Sequence, residues 1–198
     1  GTILLDRKDG VNAVPEFRTV VQENPQLIPA HIALSQAHLL NKENNLARDV
    51  LEKAVFQHPQ SPELNLALAR FHGSTGNPAQ AELFYSQVIE SEPKNLALRT
   101  ELGDMFMAAG EYEKAGEKYR SVLEDAPQAP VGYLKLSNLE MKQGHKEKAL
   151  EQLQEGAEKL PESKVVAGAL IRQYLRSGKM EEAEAFCRGR LEMKSEDP

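Results

Sequence analysis

The segment GEYEKAGEKYRSVLEDAP, from Gly110 to Pro127, begins with a glycine and ends with a proline. Its apolar residues follow helical spacing and are Tyr112, Ala115, Tyr119, Val122 and Leu123. Such spacing predicts an amphipathic helix with one buried side. Glycine readily adopts the left-handed backbone that ends many helices, and proline cannot continue a helix. We therefore interpret the segment as one helix, from about Tyr112 to Glu124, with a break on each side.

The residues that bound and pack this helix recur every 34 positions along the chain. Alanine holds all six places in this register, at Ala13, Ala47, Ala81, Ala115, Ala149 and Ala183. Proline recurs at Pro25, Pro59, Pro93, Pro127 and Pro161. Leucine recurs at Leu34, Leu68, Leu102, Leu136 and Leu170. Glycine recurs at Gly76, Gly110, Gly144 and Gly178, and Lys8 and Lys42 hold the two earlier places. Four classes of position in one phase, without an insertion, indicate an internal repeat.

Each copy of the repeat is predicted to contain two helices. In the third copy the first helix has a buried stripe of Leu98, Leu102, Met105, Phe106 and Ala109. Gly110 ends that helix, and the second helix carries the recurring alanine. Small residues also recur on the first helix, at Ser35, Ala69, Gly103 and Ser137, although Ile171 departs from this pattern. Small side chains at a crossing allow two helices to pack closely, which explains why alanine recurs.

This pattern resembles the tetratricopeptide repeat, a helix–turn–helix unit of 34 residues. The third copy matches it best, at Leu102-Gly103, Phe106, Gly110, Ala115, Tyr119 and Pro127. The family's leading tryptophan is absent, and its places hold His31, Asn65, Arg99, Tyr133 and Ala167. The resemblance covers nearly the whole chain. It implies an all-α fold, a right-handed superhelical solenoid of antiparallel helix pairs.

The register divides the chain into a partial repeat and five full ones, which we expect to form one continuous solenoid domain. The partial repeat covers residues 1–27, and the full repeats cover residues 28–61, 62–95, 96–129, 130–163 and 164–198, the last with a C-terminal tail. Because Gly1 falls in the middle of a first helix, we expect a fragment of a longer array, with Ile3 to Leu5 exposed. Pro15 favours a helix that begins near Asn12. For residues 187–198 two interpretations stay open, a polar cap or an ordinary stretch at which the given sequence stops.

By resemblance, the first helices line a concave groove that binds a peptide or a helix of a protein partner. The candidate groove residues are Gln36, Arg70, Glu101, Asp104, Met107, Lys135, Asn138, Met141 and Arg172. They combine charges of both signs with methionine, a side chain that adapts to different partners. The alternative is that they are ordinary solvated or inter-repeat residues.

Chaperone-binding members of the family hold a C-terminal carboxylate with a set of Lys, Asn and Arg side chains. That set is missing, because the corresponding places hold Ile32, Gln36, Ala67, Ala97 and Glu101.

Composition excludes several classes of function. The chain has 198 residues and a net charge of −6, and its Lys and Arg are dispersed, which argues against nucleic acid as a partner. No apolar run is long enough to span a membrane, so direct membrane insertion is not expected. A single cysteine, Cys187, excludes an internal disulfide and a multi-cysteine zinc site. The compartment stays open between cytoplasm and periplasm.

No residue cluster predicts catalysis or a cofactor. No nucleophile elbow, phosphate-binding loop or zinc-protease motif is present. His38 and His72 stand one period apart, where Phe106 and Tyr174 stand in other copies, so packing is favoured over metal binding. Cys187 lies on the core-facing stripe of its helix and is predicted to be a buried, unreactive thiol. We expect no metal, no cofactor and no enzymatic activity.

The function expected from these observations is a non-catalytic scaffold for protein–protein interaction. Insertion-free repeats of this kind resemble bacterial members that serve secretion, pilus or exopolysaccharide assembly. Two alternatives stay open. One is a structural module that self-associates into homo-oligomers through its array ends, and the other is an accessory domain of a larger enzyme.

Overall fold

The computed structural model describes residues 1–195, with side chains described for residues 1–192. This part of the chain contains twelve helices and no strand. The helices are α1 Thr2–Asp6, α2 Gly10–Glu23, α3 Ile28–Leu40, α4 Asn44–Gln57, α5 Pro62–Ser74, α6 Pro78–Ser91, α7 Leu96–Ala109, α8 Tyr112–Asp125, α9 Pro130–Lys142, α10 Lys146–Lys159, α11 Lys164–Arg176 and α12 Met180–Ser195. The fold is all-α and built from short helices joined by short turns, as the repeat predicts.

The turn inside each helix pair uses one backbone conformation. The four recurring glycines all have positive φ, from 72° to 83°. Lys42 and Lys8, at the two places without glycine, also have positive φ, 62° and 57°. A side chain in this left-handed region is strained, so the helix pairing imposes the turn even where no glycine relieves it. The predicted left-handed turn is thus confirmed at the four glycines, and the two lysines adopt it as well.

The recurring alanines form the contact between paired helices. All of them are buried, five at 0% exposure and Ala183 at 5%. In α3 the hydroxyl of Ser35 is buried and donates to the carbonyl oxygen of Ala47 at 2.9 Å. In the pair formed by α7 and α8, a Cβ added to Gly103 of α7 would lie 2.5 Å from Cε1 of Tyr119 in α8. Small residues therefore stand where a second helix approaches the backbone, as predicted.

At two of the five places that match the family's tryptophan, the side chain bonds to the preceding turn. Nε2 of His31 lies 2.8 Å from the carbonyl oxygen of Pro25. One hundred and two residues later in the same register, the hydroxyl of Tyr133 donates to the carbonyl oxygen of Pro127 at 3.1 Å. Both residues are buried. Each one ties the start of a first helix to the proline that ends the previous copy.

The chain divides into two compact units, Gly1–Leu98 and Arg99–Pro198. In the first unit, two core clusters lie around α2–α3 and around α4–α5. In the second unit, a cluster joins α10, α11 and α12, and its buried residues are Leu150, Leu153, Ala157, Val166, Leu170, Tyr174 and Ala183. Each unit thus has a core of its own.

The two helices at the start of the chain, α1 and α2, differ from the expectation in two respects. Helix α2 begins at Gly10 rather than near Asn12, and Pro15 lies inside it. The reason is the cap, because the carboxylate of Asp9 accepts a hydrogen bond from the backbone N–H of Asn12 at 3.2 Å. Ile3 is 65% exposed, but Leu4 and Leu5 pack partly against the α2–α3 cluster. Residues 196–198 of the tail lie outside the described part of the chain.

Candidate functional site

A groove lies between α3 and α5 in the first unit and has a volume of about 360 Å³. Its lining residues are Ile32, Ser35, Gln36, Leu39, Leu51, Glu63, Leu66, Ala67, Arg70, Phe71 and Ser74. We call it the α3–α5 groove. A neighbouring hollow shares Ile32, Gln36 and Glu63 with it and continues past Ile28 to Leu5. The first helices of two consecutive pairs thus line one elongated surface.

The floor of the groove is apolar because α3 and α5 carry apolar residues in addition to those that are fully buried in the core. Ile32 and Leu39 are only partly buried and pack on the cluster that contains Leu51 and Phe71. Ala67 and the buried Ser35 keep the floor low, since neither has a bulky side chain. The result is a hollow in which a partner's apolar side chain can lose water without displacing the core.

The rim of the groove is polar and carries both signs of charge. Gln36, Glu63 and Arg70 are exposed and line its edge. The hydroxyl of Ser61, which caps α5, donates to Oε2 of Glu63 at 2.8 Å. This hydrogen bond, together with a backbone hydrogen bond, lowers the pKa of Glu63. Glu63 is therefore ionised near neutral pH, on the same helix as Arg70.

The sequence named Gln36 and Arg70 as groove residues, and both line the α3–α5 groove. It did not single out Glu63, Leu66 or Phe71 for this surface. Glu63 follows Ser61-Pro62, a cap and a proline that mark the start of a helix, so its position in the first turn could be predicted from the sequence. The position of Leu66 and Phe71 beside an open hollow could not be predicted, because it depends on how the helices pack.

Asp104 and Lys135, two predicted groove residues of the second unit, are bound to each other. Nζ of Lys135 lies 2.7 Å and 2.6 Å from the two carboxylate oxygens of Asp104. The hydroxyl of Tyr119 donates to Oδ1 of Asp104 at 2.7 Å and lies 3.6 Å from Sδ of Met107. Burial, followed by the hydrogen bond to Asp104, raises the pKa of Tyr119, which keeps the phenol protonated as a donor. This group links α7, α8 and α9.

The other predicted residues of the second unit are not gathered into one site. Sδ of Met141 lies 2.9 Å from Nε2 of the buried Gln173. Glu101 is half-buried, and Asn138 and Arg172 are exposed. Met107 and Asp104 line a separate hollow at the end of α7, next to Tyr112 and Lys142. The nine predicted residues therefore divide between the α3–α5 groove and several surfaces of the second unit.

The histidines that stand one period apart make packing and hydrogen-bond contacts. Nδ1 of the buried His38 lies 2.6 Å from Oε2 of Glu43. The ring of His72 stacks on Phe84, with centroids 5.7 Å apart, and meets Phe71 edge-on. Within residues 1–195 no group of three or more His, Cys, Asp or Glu is placed to hold a metal ion.

Two further observations concern the burial of Cys187 and the possibility of a membrane-spanning helix. Cys187 is half-buried rather than buried, because α12 packs against α11 with one side of the helix. No helix in the described part of the chain has the length and apolar character that crossing a membrane requires.

Comparison with known proteins gives a family and a set of similar folds. A tetratricopeptide repeat model matches residues 4–71 and 106–170, and a second one matches residues 66–130. No curated protein sequence matches significantly. Three similar solved structures are PilW, a type IV pilus biogenesis factor, MamA, and PilF of Pseudomonas aeruginosa.

The likeness to these structures lies in the fold. PilW is 17% identical, with 93% of this chain and 86% of PilW covered and a TM-score of 0.63. MamA is 18% identical, with 79% and 91% covered and a TM-score of 0.59. PilF is 19% identical, with 80% and 72% covered and a TM-score of 0.54. The family models together span most of the chain, and the chain therefore belongs to the tetratricopeptide repeat family of all-α protein-interaction scaffolds.

Proposed function

We propose that this protein is a non-catalytic scaffold that binds a segment of a protein partner in the α3–α5 groove. The observation that carries the proposal is the elongated apolar floor with charged residues only at its rim. Apolar floors release water on binding and supply affinity, whereas the polar rim selects the partner and its orientation. A bacterial secretion, pilus or exopolysaccharide assembly system is the proposed context, because PilW is described as a type IV pilus biogenesis factor.

The groove is tested by selecting 16-residue peptides from a random display library on the whole immobilised protein. The selected peptides are then measured against Ala67→Glu, which places a charge on the floor, and Arg70→Ala, which removes a charge from the exposed rim. We expect Ala67→Glu to weaken binding at least tenfold and Arg70→Ala to weaken it about threefold. The control is Gln87→Glu, at an exposed position of α6 outside the groove.

Circular dichroism of each variant checks that helicity and melting temperature are retained. Selected peptides that bind Ala67→Glu and the unchanged protein equally well would show that the groove is not the binding site.

Self-association is a second candidate function, which exposed apolar residues at the start of the chain favour. Ile3 is 65% exposed and Leu27 is 44% exposed, and Leu27 borders the hollow next to the groove. Light scattering across a hundredfold dilution tests it. Dimers that dissociate on dilution and are lost in Ile3→Ser with Leu27→Ser support self-association, and a monomer at every concentration contradicts it.

A further inference from the structure

The α3–α5 groove has opposite charges at two points along one of its walls. Glu63 lies in the first turn of α5, and Arg70 lies seven residues later on the same groove-lining side. Seven residues span about 10.5 Å of helix, or two turns. Between these charges the wall consists of Leu66 and Ala67. A partner that fills the groove therefore meets a carboxylate, then an apolar stretch, then a guanidinium.

The apolar floor favours a helical partner over an extended one. An extended segment has backbone N–H and C=O groups that need new hydrogen-bond partners once they leave water. Among the described residues that line the groove, polar side chains are Ser35, Gln36, Glu63, Arg70 and Ser74. Ser35 already donates to Ala47 and Ser74 to Phe71. A helix bonds its own backbone internally and presents only side chains to such a floor.

The charge order also selects the direction of the partner helix. Acidic residues are favoured in the first turn of a helix and basic residues in its last turn. Arg70 attracts an acidic first turn, and Glu63 attracts a basic last turn. Short turns join α3 to α4 and α4 to α5, so α3 and α5 run in the same direction, with Glu63 near the start of α5. Both charges thus favour a partner that runs antiparallel to α3 and α5.

We infer that the occupant of the α3–α5 groove is an amphipathic helix of about three turns, with its acidic first turn at Arg70 and its basic last turn at Glu63. The length follows from the groove-lining part of α5, Glu63 to Ser74, which spans about 16 Å. This inference rests on the proposed function and adds to it the secondary structure, the charge pattern and the direction of the partner.

The test uses three fluorescein-labelled synthetic peptides of 15 residues with the same leucine stripe. The first has glutamate in its first turn and lysine in its last, the second has these charges exchanged, and a lactam bridge on the polar face keeps both helical. The third has the composition of the first with a central proline and no bridge. We expect the first to bind the whole protein about fivefold tighter than the second, and about tenfold tighter than the third, by fluorescence anisotropy.

Exchanging the charges of the groove should invert the preference. In the double variant Glu63→Lys with Arg70→Glu, the second peptide should bind tighter than the first. The matched control, Lys53→Glu with Glu90→Lys, exchanges two exposed charges on the second helices and should leave the preference unchanged. Melting temperatures of both double variants verify that they are folded.

The outcomes separate this inference from the proposed function. If the proline peptide binds as tightly as the first peptide, the inference of a helical occupant is wrong. It is also wrong if both double variants prefer the same one of the first two peptides. If the library-selected peptides still lose binding to Ala67→Glu, the groove remains a binding site, occupied by an extended segment. If neither the selected peptides nor the helical peptides respond to Ala67→Glu, both proposals are wrong.

Discussion

Lys135 and Asp104 are 31 residues apart in the chain, and Nζ of Lys135 contacts both carboxylate oxygens of Asp104. Asp104 belongs to α7 and Lys135 to α9, so this ion pair joins the first helices of two successive pairs. Tyr119 of α8 donates to the same carboxylate. Two residues that the sequence suggested for partner binding therefore also bind each other, and their role in packing is measurable.

The hydrogen bond between Tyr119 and Asp104 should contribute to stability. Tyr119→Phe removes the hydroxyl donor and keeps the buried ring, so we expect the free energy of unfolding to fall by about 1 kcal/mol. In an Asp104→Ala background the same substitution should cost less, because its acceptor is gone. Urea unfolding of the four proteins in this double-mutant cycle measures the coupling. Equal costs in both backgrounds would show that the bond has no net effect.

The contact between Gly103 and Tyr119 should make Gly103 intolerant of a side chain. A Cβ at this position would lie 2.5 Å from the Tyr119 ring, so Gly103→Ala is expected to destabilise by about 1–3 kcal/mol through overpacking. Gly189 in α12 is the matched control, because a Cβ there meets nothing within 4 Å. Gly189→Ala should be neutral or stabilising by up to about 1 kcal/mol. Thermal unfolding of the two variants compares them, and equal effects would contradict this account of Gly103.

Lys42 is expected to destabilise the turn that it occupies. Its φ of 62° lies in the left-handed region, where a glycine at the matching places has no strain. Lys42→Gly should therefore raise the free energy of unfolding by about 1 kcal/mol. Lys53 is exposed inside α4, and Lys53→Gly should lower it by about the same amount. Chemical denaturation measures both changes, and a loss of stability in Lys42→Gly would contradict the prediction.

His72 should make the protein less stable in mild acid. Burial lowers the pKa of His72, while Glu52 opposes and Arg48 assists this shift. The unfolded chain therefore takes up a proton first as the pH falls through about 6.5, and the stability present above that pH is progressively lost. His72→Phe should flatten the decline between pH 7.5 and 5.5, measured by urea unfolding at each pH.

The matching place in the third copy provides the reverse experiment for this pH effect. Phe106 is fully buried there, with the ammonium of Lys114 over its ring. Phe106→His should introduce a decline in stability below pH 6.5 that the unchanged protein lacks at this site. An unchanged pH profile in both variants would show that burial of the imidazole is not the cause.

The amino-acid sequence by itself determined the helices and turns, because local rules act within one copy of the repeat. Glycine at the turn, proline after the second helix and alanine at the crossing each act over a few residues, and their 34-residue spacing repeats that local result. Lys42 and Lys8 are the exceptions, since both adopt the turn conformation without glycine because the pairing of the helices imposes it. Helix α8, predicted from about Tyr112 to Glu124, spans Tyr112–Asp125.

Only the tertiary structure decided which surface residues meet. The partners of Asp104 come from two other helices, and the α3–α5 groove is made by residues from Ile32 to Ser74 on three helices. Such contacts depend on the distance and direction between helices. The repeat pattern does not determine them at exposed positions, because the residues at these positions differ from copy to copy. Most core positions were predictable because burial selects a small or apolar residue at the same place in every copy, although Ala109, predicted on the buried stripe of α7, is exposed. The groove and its rim depend on residues that vary between copies.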